Sequence, residues 1–331
     1  MKWLLKRILA GFAALVIVAA GAGVLLWTQF LGETEPWAVS QGNNAAWLSG
    51  AWVSGERSRD DFADLLPRIR EGEIGELYVH VGELTPEGEL PPGNYARAEE
   101  FLAWTEQEIP DVDVLGWVSR TADSSSMTED RFTPQQRAAV ARSAAEVHDT
   151  GFDGVHLAVR PVTTNDPSLP DTVERVRREI GDDATLSVQA QHVELLTGIR
   201  LPAFALSRSE RFWSTGYVKR VSEHADTVVL PGHGTGMPTS QLYGGFMVRQ
   251  VEESLETLEE GDTALRFGAP SYSEERWGDA SAAENVGTAA EAVRVGMSSY
   301  GERDDVGLAL YVLDDTGDED WETFVDTWVD P

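Results

Sequence analysis

Three histidines, His80, His156 and His233, each stand in or just beyond a short apolar run. Carboxylates fall at similar places: Glu83, Glu274 with Glu275, and Asp314 with Asp315. So do the rings of Trp52, Trp117, Tyr272 and Tyr311, and the guanidinium of Arg160. Each set has its own chemistry. Three imidazoles around an open position would suit zinc. Two carboxyls flanking a glycosidic bond, one held protonated by burial, would hydrolyse it. A ring with an apolar face and a polar handle would stack on a sugar. No His-Glu-x-x-His spacing supports the metal, so structural or hydrogen-bonding roles are expected for the histidines and no cofactor is assigned. In so acidic a chain, a loop carboxylate is more often a solvated surface group than an acid catalyst. The catalytic candidates are Glu83, Glu274 and Asp314. The ligand-binding candidates are Trp52, Trp117, His156, Arg160, His233, Tyr272 and Tyr311.

These residues can meet only if the elements carrying them do. From residue 46 onward, short strand-like runs alternate with amphipathic helical ones, the pattern of a parallel sheet. The strands are expected over residues 46–54, 76–84, 113–120, 151–162, 184–190, 226–234, 263–272 and 306–314. Helices are expected over 59–71, 94–109, 134–150, 166–181, around Trp213, Tyr217 and Val221, then over 240–260, 280–299 and 319–329. Thr133 reads as an N-cap with Pro134 at the first helical position, and Gly181 as a helix stop. Eight strand–helix pairs are the number that closes a (β/α)8 TIM barrel, whose function sits at the C-terminal strand ends. All the candidates fall at such ends. A doubly wound open sheet is the alternative, but no strand-to-helix turn carries Gly-x-Gly-x-x-Gly or a phosphate-binding Gly-x4-Gly-Lys-Ser/Thr.

Residues 151–162, Gly-Phe-Asp-Gly-Val-His-Leu-Ala-Val-Arg-Pro-Val, have the form of a buried strand that opens into a site. They resemble the signature strand of the family 18 glycoside hydrolases, the chitinase-like barrels, which reads Phe-Asp-Gly-x-Asp-x-Asp-x-Glu. Phe152, Asp153 and Gly154 match; His156, Ala158 and Arg160 replace the later aspartates and the glutamate that is the general acid. Asp153, in the family a supporting aspartate, reads here as a cap on the turn before the strand. The resemblance continues through residues 226–236, where Pro231, His233 and Gly234 replace a Met-x-Tyr-Asp run that contacts the sugar. Gly268-Ala269-Pro270-Ser271-Tyr272 is similar to the family's Gly-x-Pro-x-Tyr, and Tyr311 is nearest to its stacking tryptophan. The resemblance implies a glycan-handling barrel without the acid. Arginine cannot donate that proton, because guanidinium stays protonated at any accessible pH.

The chain carries 56 acidic and 26 basic residues, a formal net charge of -30. Such a field repels nucleic acid. It suits a surface kept soluble at molar salt, where the Debye length is about 3 Å, so a halophilic setting is expected. The absence of cysteine excludes disulfides, thiolate metal sites and cysteine nucleophiles. At the N-terminus, Lys2, Lys6 and Arg7 precede an uncharged apolar run over residues 8–27. Twenty helical residues rise about 30 Å, the thickness of a bilayer core. Positive charge on the near side alone keeps the N-terminus cytoplasmic, with Trp27 and Phe30 at the far interface. A cleaved signal peptide, with Ala20-Gly21-Ala22 as its site, is the alternative and would give a secreted protein.

The expected organisation is therefore an anchor over 1–30, a linker over 31–45 and a barrel over 46–331 held outside the membrane. The expected function is binding of a cell-surface or environmental polysaccharide without the usual hydrolase activity. An active hydrolase with relocated carboxylates and a structural surface protein are the alternatives.

Overall fold

The computed structural model describes residues 2–121, 131–160, 162–164, 166–195, 212–261, 263–271 and 283–331. Eight parallel strands form a closed barrel. They are β1 (Asn44–Leu48), β2 (Ile74–Glu83), β3 (Asp113–Thr121), β4 (Gly154–Arg160), β5 (Thr185–Gln189), β6 (Thr227–Leu230), β7 (Ala264–Pro270) and β8 (Val306–Tyr311). Each strand pairs with its sequence neighbours, and β1 closes the ring on β8 through Ala45↔Ala309 and Ala46↔Leu310.

The helices are α1 (Lys2–Phe30), α2 (Ala51–Ser54), α3 (Arg59–Glu71), α4 (Ala98–Glu108), α5 (Pro134–Asp149), α6 (Ser168–Ile180), α7 (Thr215–Ser222), α8 (Ser240–Thr257), α9 (Val286–Tyr300) and α10 (Asp318–Phe324). The start of α5 follows from its sequence: Thr133 accepts from the Gln136 amide, Gln136 answers in a capping box, and Pro134 fills a position that needs no N–H. Among the described residues, one helix, over Leu9–Phe30 near the N-terminus, is long and apolar enough to cross a membrane.

Three expected elements differ. The run over 46–54 is two elements, because the chain turns at Ser49-Gly50 into the short helix α2. There the adjacent Trp52 and Val53 both bury, which a half-buried strand does not allow. The sixth strand stops at Leu230, since Pro231 has no N–H to continue the ladder. Trp213 lies in a two-residue strand, Phe212–Trp213, paired in parallel with His192–Val193, ahead of the helix that carries Tyr217 and Val221. Its indole donates to the Val162 carbonyl at 2.8 Å.

Two apolar layers hold the fold. The larger lies between barrel and helices, and a smaller one fills the barrel with Ala45, Trp47, Tyr78, Leu115, Val229 and Ala309. The base is polar. Arg266 pairs with Glu76 at 2.6 Å, and the Tyr78 hydroxyl donates to the same carboxylate at 2.7 Å. Asp153 also belongs to the base, accepting from the Val114 amide at 2.7 Å. Asp226 repeats that contact on Leu186, at 2.7 Å. Gly154 follows from the same close packing, for a Cβ there would overlap the Thr185 backbone.

Asn44 ties the ends of the chain together. Its carbonyl oxygen accepts from the Leu308 amide at 3.1 Å and from the Trp328 indole at 2.7 Å. Its amide nitrogen donates to the Gly72 carbonyl at 2.9 Å.

Candidate ligand-binding site at the barrel mouth

The site is built in two tiers of rings. In the lower tier, fully buried, His156 of β4 stacks on Tyr78 of β2, with centroids 4.1 Å apart and planes at 13°. Trp47 of β1 stands edge-on to both, at 5.7 Å and 5.3 Å. The Trp47 indole lies 3.3 Å from Nε2 of His156, and Ser187 Oγ lies 2.8 Å from Nδ1. An indole N–H only donates, so Nε2 must accept and Nδ1 carries the proton toward Ser187. His156 is thus a neutral ring with both nitrogens engaged. Burial, and then the charge of Glu76, push the Tyr78 hydroxyl well above its usual range, so it stays protonated.

The upper tier is half-buried. Trp117 of β3 lies 4.5 Å from His80 of β2 and 6.4 Å from Tyr311 of β8. His233, just beyond β6, stacks on Tyr311 at 4.6 Å and 19°. Tyr311 rests in turn on Trp47, at 5.3 Å. Four rings from four strands therefore floor the mouth. Burial lowers the pKa of His80, outweighing the charge of Glu83, and its Nε2 shares a hydrogen bond with Ser119 Oγ at 2.9 Å.

Strand alternation puts Ala158 on the same face as His156. Ala158 presents a buried methyl group there. The Arg160 side chain lies outside the described part of the structure. One strand further round, Gln189 ends β5 at 2% exposure, on the face that Ser187 turns inward. Neither its amide oxygen nor its amide nitrogen has a hydrogen-bond partner among the described residues, and the same holds for the Trp117 indole nitrogen. A buried amide without partners is costly, which sets these atoms apart from the paired polar groups around them. The periodicity placed Gln189 at a strand end but gave no reason to prefer it over Gln191. The structure separates them, for Gln191 donates to the Val162 carbonyl at 2.9 Å.

The loop carrying His233 is held by Glu284. That buried carboxylate accepts from the amides of Gly234 at 2.9 Å, Thr235 at 2.7 Å and Gly236 at 3.2 Å, and from the Thr235 hydroxyl at 2.5 Å. Glu284 was not among the sequence candidates. The clustered glycines of residues 232–236 were the available signal, since such loops turn successive amides toward an anion.

The remaining candidates are dispersed. Trp52 is buried against Phe62 and Phe101, and its indole donates to Asp314 at 2.8 Å. Asp314 also accepts from the Ser49 amide at 2.9 Å, so its carboxylate fixes the turn after β1. Glu83 is exposed at the end of β2. Tyr272, Glu274 and Glu275 lie outside the described residues. Among the described residues, no three His, Asp or Glu side chains are grouped to hold a metal.

No family model and no curated protein sequence matches the chain. Solved structures do match it. The spore cortex-lytic enzyme SleL of Bacillus cereus aligns with a TM-score of 0.60 at 10% identity, over 86% of this chain and 74% of that one. A chitinase from Chromobacterium violaceum aligns at 0.58 and 13% identity, over 87% and 99%. A chitinase from Bacteroides thetaiotaomicron aligns at 0.56 and 11%, over 86% and 94%. Identities this low speak for architecture alone, and with the closed ring of eight parallel strands they give this chain the chitinase-like (β/α)8 fold.

Proposed function

We propose that the barrel binds a glycan on the rings of its mouth without cleaving it by the usual glycosidase route. One observation carries the reading. On the inward face of β4, where the resembled family places its acidic residues, stand a neutral His156 with both nitrogens engaged and the methyl group of Ala158. Above them Trp117, Tyr311, His233 and His80 offer ring faces, and Gln189 offers a donor and an acceptor. That pairing of apolar faces with a few placed polar groups suits a sugar ring. Chitinases and a cortex-lytic enzyme among the structural neighbours support the same ligand class.

The protein acts outside the cell in this reading, held by residues 8–27 with the Lys2, Lys6 and Arg7 end in the cytoplasm. The relocated-carboxylate alternative rests on Glu83, exposed at the end of β2, whose charge acts on His80 without overcoming the effect of burial.

A glycan-array screen of the full-length chain in detergent and high salt, followed by product analysis of each hit, tests the proposal. Binding without new reducing ends is the expected result. Cleavage that is lost in Glu83→Gln would transfer the assignment to the hydrolase. Failure to bind any glycan would leave a structural surface role.

A further inference from the structure

The anchor helix is not simply appended to the barrel. Its last two turns are seated on α8, where Gly23, Leu26, Gln29 and Phe30 form the covered side. The seat is made by two adjacent glycines. A Cβ on Gly245 would overlap the Leu26 carbonyl, and one on Gly244 would meet the Phe30 ring at 2.5 Å. One turn earlier, Gly23 lies against Leu242, 3.6 Å from its Cδ2 to the position of a Cβ. Residue 23 beside 242 and residue 26 beside 245 mean that the two helices run in the same sense. After the seat, the chain descends along α9. Gly32 lies against Val295, the Glu35 amide donates to Ser298 Oγ at 2.8 Å, and Arg294 Nε donates to the Ala38 carbonyl at 2.9 Å. It then reaches the base and enters β1.

In a parallel barrel the helix after a strand starts at the mouth. The free part of α1 therefore projects from the mouth end. Residues 8–22 supply about 22 Å of apolar helix at 1.5 Å per residue, short of the ~30 Å core. To span, the helix must use its seated turns as well, leaving no spacer between bilayer and barrel. Two observations fit this. The outer side of the seated turns is apolar rather than charged, with Val24 55%, Leu25 68% and Trp27 48% exposed. The adjoining stretch of barrel, residues 231–248, contains no Asp, Glu, Lys or Arg in a chain that is 25% charged.

We propose that the mouth rim beside α8 is the membrane-facing surface of the protein, apposed directly to a lipid bilayer. One consequence rests on the glycan-binding reading: the sugar that reaches the site is one presented at the lipid surface rather than a polymer in bulk solution.

The chain has no cysteine, so single labels are easily placed. Gln241→Cys and Glu87→Cys mark the mouth rim, and Asp182→Cys and Asp304→Cys the base, all at exposed positions. Each full-length variant is labelled with a fluorophore and reconstituted in phosphatidylcholine–phosphatidylglycerol vesicles containing a headgroup spin-labelled phospholipid. At least twofold stronger quenching of the mouth labels is expected. Adding Gly245→Ala, which obstructs the seat, should reduce that difference. Equal quenching, or stronger quenching at the base, overturns the inference. The readout uses no glycan, so it stands or falls separately from the glycan screen.

Discussion

Tyr311 and Trp117 are the rings whose removal is most informative, because they are half-buried and serve the mouth more than the core. Trp117→Ala should weaken glycan binding about tenfold or more, roughly 1.4 kcal/mol, with an unchanged far-ultraviolet dichroism spectrum. Isothermal titration calorimetry checks it. His80 gives a pH-dependent prediction. Its folded pKa lies below the ordinary value of 6.5 because burial disfavours the cation. The unfolded chain therefore takes up this proton at higher pH than the folded one, so the folded state loses stability as pH falls from 6.5 toward the folded pKa. His80→Gln should flatten that part of a denaturant-midpoint profile measured between pH 7 and pH 5. An unaltered slope would show that His80 is not the group responsible.

At the scale of elements, loops beyond the strand ends do as much as the strands. Glu284 holds the 232–236 loop by three amides and a hydroxyl, and so sets the ring of His233 against Tyr311. Glu284→Ala should destabilise the domain by about 1–3 kcal/mol, the range for stranding buried donors. It should also weaken glycan binding without touching the ligand. Thermal melts and titration together check both. The strand–helix alternation was legible in the sequence because each strand is a short apolar run and each helix has a 3.6-residue face. Asp153 was expected to cap the turn before its own strand, and its carboxylate instead accepts from the Val114 amide of the neighbouring β3. The end of β1 was not, because Ala51–Ser54 is apolar enough for either period and only the tertiary contact of Trp52 with Asp314 decides it. That same turn sets the Trp52 ring against Phe62 and Phe101 and its indole on Asp314. Glu284 was hidden because its partners are backbone amides about 50 residues away, which no side-chain pattern announces.

At the scale of the whole molecule, the net charge of -30 is a long-range term. Self-repulsion of that size disfavours the compact state until counterions screen it. The melting temperature should therefore rise between 0.1 M and 2 M potassium chloride. Each kcal/mol gained is worth about 2–4 °C for a domain of roughly 150–250 residues, and somewhat less for this one. Scanning calorimetry across that range checks it, and a flat response would remove the case for adaptation to salt.

The bonds of Asn44 bear on how the protein is made. One side chain joins the first strand to the last and to Trp328, near the C-terminus. A chain that emerges N-terminus first has to display β1 with one open edge until β8 arrives. Unpaired edges invite pairing with other chains. Ring closure is then a late event that waits for residues 306–311. A product truncated before residue 306 would be an open, sticky sheet rather than a smaller working barrel.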